Sequence, residues 1–231
     1  DSSRNSFMIK RMEDLADRTV WAMGEQLKCG DFVPFVFEHK FNMEVGDGDR
    51  KQLMSGTIDR VDICENGTDV YVRIIDYKTG KKDFNIVKTY YGIDIQLMVY
   101  MEAAMKLVAK MRPGKNVIPA GVFYYNISDP IVSATTESAD EIEDKIKGEL
   151  RLKGMVNSDK DIAEKMDNTE GTSLNIPVSR KADGGFDSRR SKVMNTEQFN
   201  MLGRFVDVRA VDTADRIAGG DIRRSPYKDG Q

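Results

Sequence analysis

One histidine, two cysteines, one tryptophan and six prolines are spread over the 231 residues. The two thiols, Cys29 and Cys64, cannot complete a zinc site by themselves and make no disulfide scaffold; they suit a reducing compartment such as the cytoplasm. No apolar run approaches the roughly 20 residues needed to span a bilayer, and no signal peptide is visible, so no membrane association is expected. Six prolines and 19 glycines exclude collagen-like or low-complexity character. Excess positive charge is also missing. Lys and Arg number 35 against 38 Asp and Glu, for a net charge of −3. That excludes a uniformly basic nucleic-acid coat and leaves a local basic groove open. There is no Walker A loop, no internal repeat and no long linker. The chain starts at Asp1 without an initiator Met and ends in a polar Asp229-Gly230-Gln231 tail. We expect one domain, 1–231, taken from a longer protein.

What is present is an alternation of helix and strand patterns. Residues 7–28 carry a helical stripe of Met8, Met12, Leu15, Thr19 and Ala22, ended by Gly30. Residues 32–45 alternate, with Phe35, Phe37, His39, Phe41 and Met43 on one side. Residues 53–64 and 69–78 read as two strands joined at Asn66-Gly67, a strong hairpin signal. A long helix is expected over 86–111 and a strand over 117–127. Ser138 and Glu141 predict a capping box for a helix with spine Ile142, Ile146 and Leu150. Residues 153–171 are polar, with one short helix near 161–166, and 172–179 reads as an edge strand because Pro177 sits inside it. Asn195 and Gln198 cap a last helix over 196–218, striped by Phe199, Leu202, Val206, Thr213 and Ile217. The class is α/β, a mixed sheet flanked by helices.

The chemistry concentrates in GTIDRVD (56–62) and IIDYKTG (74–80). Alternation puts Asp76 and Lys78 on one face of their strand. If Asn66-Gly67 closes the hairpin, with two or four loop residues, Asp59 faces Ile74 and is a diagonal neighbour of Asp76, with Cα atoms about 5 to 8 Å apart. Two carboxylates so placed repel unless protons or a cation lie between them, and they suit Mg²⁺, whose oxygen ligands sit at about 2.1 Å. The bland alternative is a solvated strand edge with a surface ion pair.

Those two motifs, followed by YYGIDIQLMVY (90–100), resemble the RecB-like branch of the PD-(D/E)xK nucleases. PAGVFYYNISDPI (119–131), SLNIPVSRKADGGF (173–186) and TEQFNMLGRFV (196–206) resemble, more narrowly, the C-terminal nuclease domain of the AddB family. The resemblance implies the PD-(D/E)xK restriction-endonuclease-like core and Mg²⁺- or Mn²⁺-dependent DNA hydrolysis, as the exonuclease part of a helicase–nuclease in recombinational repair. It implies DNA and an AddA-type helicase–nuclease subunit as partners. Asp59 and Asp76 become metal ligands, joined by the main-chain carbonyl of Tyr77, and Lys78 the active-site lysine. Gln96 and Tyr100 match the family's Gln-x-x-x-Tyr motif, with Gln96 ordering the site or touching DNA. The branch takes a further ligand from a helical His; His39 lies on a strand and reads as structural. AddB proteins hold an iron–sulfur cluster on four cysteines, one upstream and three near the C-terminus. Cys29 and Cys64 match none of them, so a cluster is expected only in a full-length protein of that family.

Around this core, Lys81, Lys82 and Lys88 read as a phosphate-following groove, and Tyr90 and Tyr91 as stacking surfaces. Arg189, Arg190 and Lys192, and Arg223 and Arg224, form further basic groups whose plain role is solubility. Glu38 reads either as a group supporting the site or as a surface glutamate. Two other readings stay open: an inert DNA-binding or docking module, which would bind no metal, and another RecB-like nuclease such as a CRISPR adaptation nuclease.

Overall fold

Runs of β-branched and aromatic residues build the centre of the molecule. The structure is a computed structural model describing residues 2–46, 48, 51–133 and 137–223. Six strands lie side by side in chain order: β1 (Val33–Val45), β2 (Gln52–Asn66), β3 (Asp69–Lys78), β4 (Asn116–Asn126), β5 (Lys153–Asn157) and β6 (Val193–Met194). β3 runs parallel to β4 and β5 to β6, while the other neighbours are antiparallel. One face of the sheet presents Val61, Ile63, Val72, Ile74 and Val122 to α3 (Gln96–Met111) and α6 (Thr196–Ala218), which contribute Leu97, Val108, Phe199 and Val206. The other presents Tyr71, Ile75, Phe123 and Tyr125 to α1 (Ser2–Lys28), α4 (Ala139–Glu149) and α5 (Lys160–Met166). Burial of each large apolar side chain contributes about 1.5–3 kcal/mol. The expected α/β class, a mixed sheet between helical layers, is the observed one.

The β2–β3 register differs from the expected one by two residues. Asn66 pairs with Asp69 and Arg60 with Ile75, so the turn is Gly67-Thr68. Gly67 has φ +59°, a left-handed conformation that glycine adopts without a Cβ penalty. A two-residue slip preserves which side chains share a face. The register is fixed by charge as well as by the turn. Asp62 pairs with Arg73 in the ladder. Its carboxylate accepts from Arg60 Nε at 2.6 Å, Arg60 Nη2 at 2.8 Å and Arg73 Nε at 2.9 Å. All three residues are buried, and Arg73 also lies over the Phe32 ring at 4.9 Å.

Several expectations need correction. β1 does not keep Phe37 with Phe41 and Met43: those two are buried, while Phe37 is exposed beside the Arg60 guanidinium. The change of face falls at Glu38, whose φ of +48° departs from strand geometry. The 86–111 helix is two helices, α2 (Ile86–Tyr90) and α3, because Gly92 takes φ +77° and Thr89 turns its hydroxyl to the carbonyls of Asn85 and Asp94. No strand spans 172–179; an isolated bridge joins Thr172 to Ser179. Buried Asp167 instead gathers the hydroxyl of Ser173 and the amide of Asn175 into a loop. The strand in that region is β5, where a Cβ on Gly154 would collide with the Val122 carbonyl of β4. α1 begins earlier than expected, and its stripe is buried only toward the C-terminal end: Ala22 is covered, Met8 and Met12 are exposed. Both predicted capping boxes form, at Ser138 and Asn195, but Ile217 at the end of the α6 stripe is exposed.

Two outcomes follow. Asp62→Ala leaves two buried guanidinium groups without their counter-charge, so urea unfolding should show a loss of about 3–5 kcal/mol. Between α3 and α6, burial and a hydrogen bond with Glu102 push the Asp207 carboxyl up to about 7. A raised carboxyl favours the fold below its unfolded range, and that contribution is lost as pH rises through about 7. Asp207→Asn should therefore gain thermal stability over the wild type progressively from about pH 4 to 7 and hold a constant margin above it.

Candidate active site

The middle of β2 and the end of β3 bring the motif residues together. The β2–β3 ladder ends at the Arg60–Ile75 pair, and Asp59 and Asp76 are the next residues of the two strands. Alternation with Val61 and Ile63 puts Asp59 on the face of Ile74 and Asp76. Ile58 and Val61 both enter the same core although they are three residues apart, so β2 changes face between them, as β1 does at Glu38. A bulge-like irregularity of this kind re-aims side chains. The Asp59 carboxylate accepts from the Tyr77 main-chain N–H at 2.8 Å.

Asp76 is the centre of the cluster, at 2% exposure. Its Oδ1 accepts from Gln96 Nε2 at 3.1 Å. Its Oδ2 forms an ion pair with Lys78 Nζ at 2.5 Å and has no other partner. Burial drives the Asp76 pKa up; the Lys78 ammonium opposes that, and the Asp59 charge adds to it. Gln96 spends its second amide hydrogen on the Tyr100 hydroxyl at 2.9 Å. The Tyr100 ring meets Phe41 edge-on at 5.7 Å. Gly56 allows this approach, since a Cβ there would come within 2.9 Å of the Phe41 ring. The break between α2 and α3 makes Gln96 the first residue of α3.

A second layer was not read from the sequence. Asp94, buried just before α3, accepts from the Tyr124 hydroxyl at 2.7 Å and lies 3.3 Å from Lys82 Nζ. Burial, and then Asp94, push the Tyr124 phenol well above its usual range. Lys78 and Lys82 both stand over the Tyr124 ring, at 5.7 and 5.4 Å. Asn126 clasps the Lys82 backbone, accepting from its N–H at 3.0 Å and donating to its carbonyl at 2.9 Å. Gly92 ahead of Asp94 was the available signal that the chain turns here rather than continuing a helix.

The remaining candidates lie further out. Lys81 and Lys88 are exposed. Lys192 is paired with Asp83 at 2.5 Å and Arg223 with Asp221 at 2.8 Å, while Arg224 lies outside the described residues. His39 is half-buried opposite Ile58, and Glu38 is exposed. Cys29 and Cys64 form no disulfide, and burial pushes both thiols up. Among the described residues no three His, Cys, Asp or Glu side chains converge, so a cation here would rest on two carboxylates supplemented by main-chain oxygen. No helix among them is long and apolar enough to cross a membrane.

The sequence profile of the PD-(D/E)XK nuclease superfamily matches residues 1–230. The B-type component of the ATP-dependent helicase/deoxyribonuclease of Clostridium botulinum strain Hall is 34% identical over 98% of this chain. The proteins of that name from Thermoanaerobacter sp. strain X514 and Caldanaerobacter subterraneus are 34% and 36% identical over 100% and 98%. The chain spans about a fifth of the length of these relatives, 20 to 21%. With a mixed sheet between helices and Asp76-Tyr77-Lys78 at the end of its third strand, and with the superfamily profile covering nearly every residue, this chain belongs to the PD-(D/E)XK nuclease superfamily.

Proposed function

We propose that this chain hydrolyses DNA phosphodiester bonds with a divalent cation at the Asp59–Asp76–Lys78 cluster. We further propose that it does so as the exonuclease portion of an AddB-type helicase/deoxyribonuclease component, working beside an AddA-type partner in recombinational repair. The observation that carries this reading is a nearly inaccessible carboxylate, Asp76, approached by a second acid and an ammonium group near the C-terminal end of β3.

The donors fit a hard cation. Asp76 Oδ2 has no partner besides Lys78, and its raised proton affinity marks a buried carboxyl that a bound cation would hold ionised. Asp59, Asp76 and the Tyr77 carbonyl would hold it. When bound, Mg²⁺ or Mn²⁺ polarises a phosphate oxygen and lowers the pKa of a water ligand. The protein's own groups do the rest. The Tyr77 N–H fixes Asp59, and Gln96, itself braced by Tyr100, fixes Asp76. Lys78 sits where its ammonium can orient the attacking water or offset charge growing on the phosphate. Lys82, held by Asn126 and Asp94, supplies a second cation beside it. Lys81 and Lys88 extend the positive border along which a strand's phosphates would lie.

Asp59→Asn, Asp76→Asn and Lys78→Met should each lower cleavage of a labelled DNA strand by at least about 100-fold, with the circular dichroism spectrum unchanged. EDTA should abolish cleavage and excess Mg²⁺ restore it; full activity in any of the three variants would overturn the assignment. Gln96→Leu should cost a smaller factor, about 10- to 100-fold, because it orients Asp76 without replacing it.

A further inference from the structure

The segment between Lys78 and Gln96 exposes more apolar surface than packing explains. Only Phe84, Thr89 and Asp94 are buried in it. Tyr90 and Tyr91 remain 58% and 53% exposed, and Ile86, Val87 and Ile93 are exposed too. The aromatic rings are nonetheless ordered against one another. Tyr90 lies flat on Phe205 of α6, with centroids 5.2 Å apart and planes within 4°. Tyr91 meets Tyr90 edge-on at 5.4 Å. Thr89 anchors the turn through its hydroxyl, and the Ile93 N–H bonds back to the Lys88 carbonyl at 2.9 Å. The rings are therefore presented on a braced turn, not on a loose loop. This turn starts at the proposed active-site lysine and ends at the glutamine that holds Asp76. Lys81 and Lys88 stand exposed in the same segment.

From this placement we propose that Tyr90, Tyr91 and Phe205 form a base-stacking platform that selects single-stranded DNA and feeds it to the Asp59–Asp76–Lys78 cluster, a reading that rests on the function proposed above. Phe205 supports one face of Tyr90, and a base from an unpaired strand takes the exposed one. Bases inside a duplex are already stacked and cannot reach it. The adjoining lysines meet the phosphates of the same strand, which is the charge pattern that sequence-tolerant single-strand grooves combine with aromatic rings. A protein partner would use the patch without needing bases, and the two uses separate experimentally.

The test is fluorescence anisotropy of the 231-residue chain with labelled oligo(dT) and with an abasic strand of equal length and charge, both in EDTA. The wild type should bind oligo(dT) more tightly. Tyr90→Ala and Tyr91→Ala should each weaken oligo(dT) binding by about fivefold or more and leave abasic binding unchanged, while Tyr90→Trp keeps the wild-type preference. Equal affinity of the wild type for the two strands overturns the platform, and that comparison needs no variant to fold. So does a Tyr91→Ala protein that binds oligo(dT) as before, as a protein-docking patch would. Cleavage by the wild type in Mg²⁺ is scored separately. A chain that prefers bases but never cuts refutes the hydrolysis reading alone, and one that cuts without base preference refutes the platform alone.

Discussion

The pairing of β2 with β3 is the constraint on which the rest of the molecule depends. A one-residue slip would send Val61, Ile63, Val72 and Ile74 to the wrong face and separate Asp59 from Asp76. Turn geometry at Gly67 alone would hold such a register weakly. The ladder pair Asp62–Arg73, with Arg60 closing on the same carboxylate, adds a buried charge match that other registers would break. The cluster lies on the sheet face opposite the candidate site, so the strands that aim the acids are pinned from behind.

The site itself is held under tension. Asp76 is buried where a negative charge is disfavoured, beside another carboxylate, with Lys78 and, further off, Lys82 as counter-charges. Glu38 adds a left-handed backbone at a residue without glycine's freedom, which costs of order 1–3 kcal/mol. Neither feature stabilises the fold. The surrounding layers of α3 and α6 supply the apolar burial that offsets them.

Much of this was legible in the letters. Period-two patterns located β2, β3 and β4 to within a residue or two, and the capping residues Ser138 and Asn195 marked the starts of α4 and α6. Asp76 and Lys78 shared a face by simple alternation. What could not be read was any irregularity imposed from outside the local pattern. Ile58 enters the same core as Val61 through a change of face in β2, and β1 changes face at Glu38, neither of which the local pattern shows. Asp94 and Tyr124 are far apart in sequence and meet only because β4 runs parallel to β3. β5 was hidden because its glycine is chosen for close approach to β4, not for strand propensity.

Asp59, Asp76, Lys78 and Gln96 all come from one unbroken stretch that ends at Tyr100, before β4 begins. The β2–β3 hairpin closes locally and rapidly, whereas β3–β4 pairing must wait until α2 and α3 have been traversed. During synthesis the acids and the lysine therefore come into proximity before Tyr124 arrives beneath the two ammonium groups. Phe205 follows later still, on the last helix. The two carboxylates are assembled first and roofed afterwards, so a growing polypeptide passes through a stage with its charge cluster open to water and the exposed Tyr90 and Tyr91 rings unsupported.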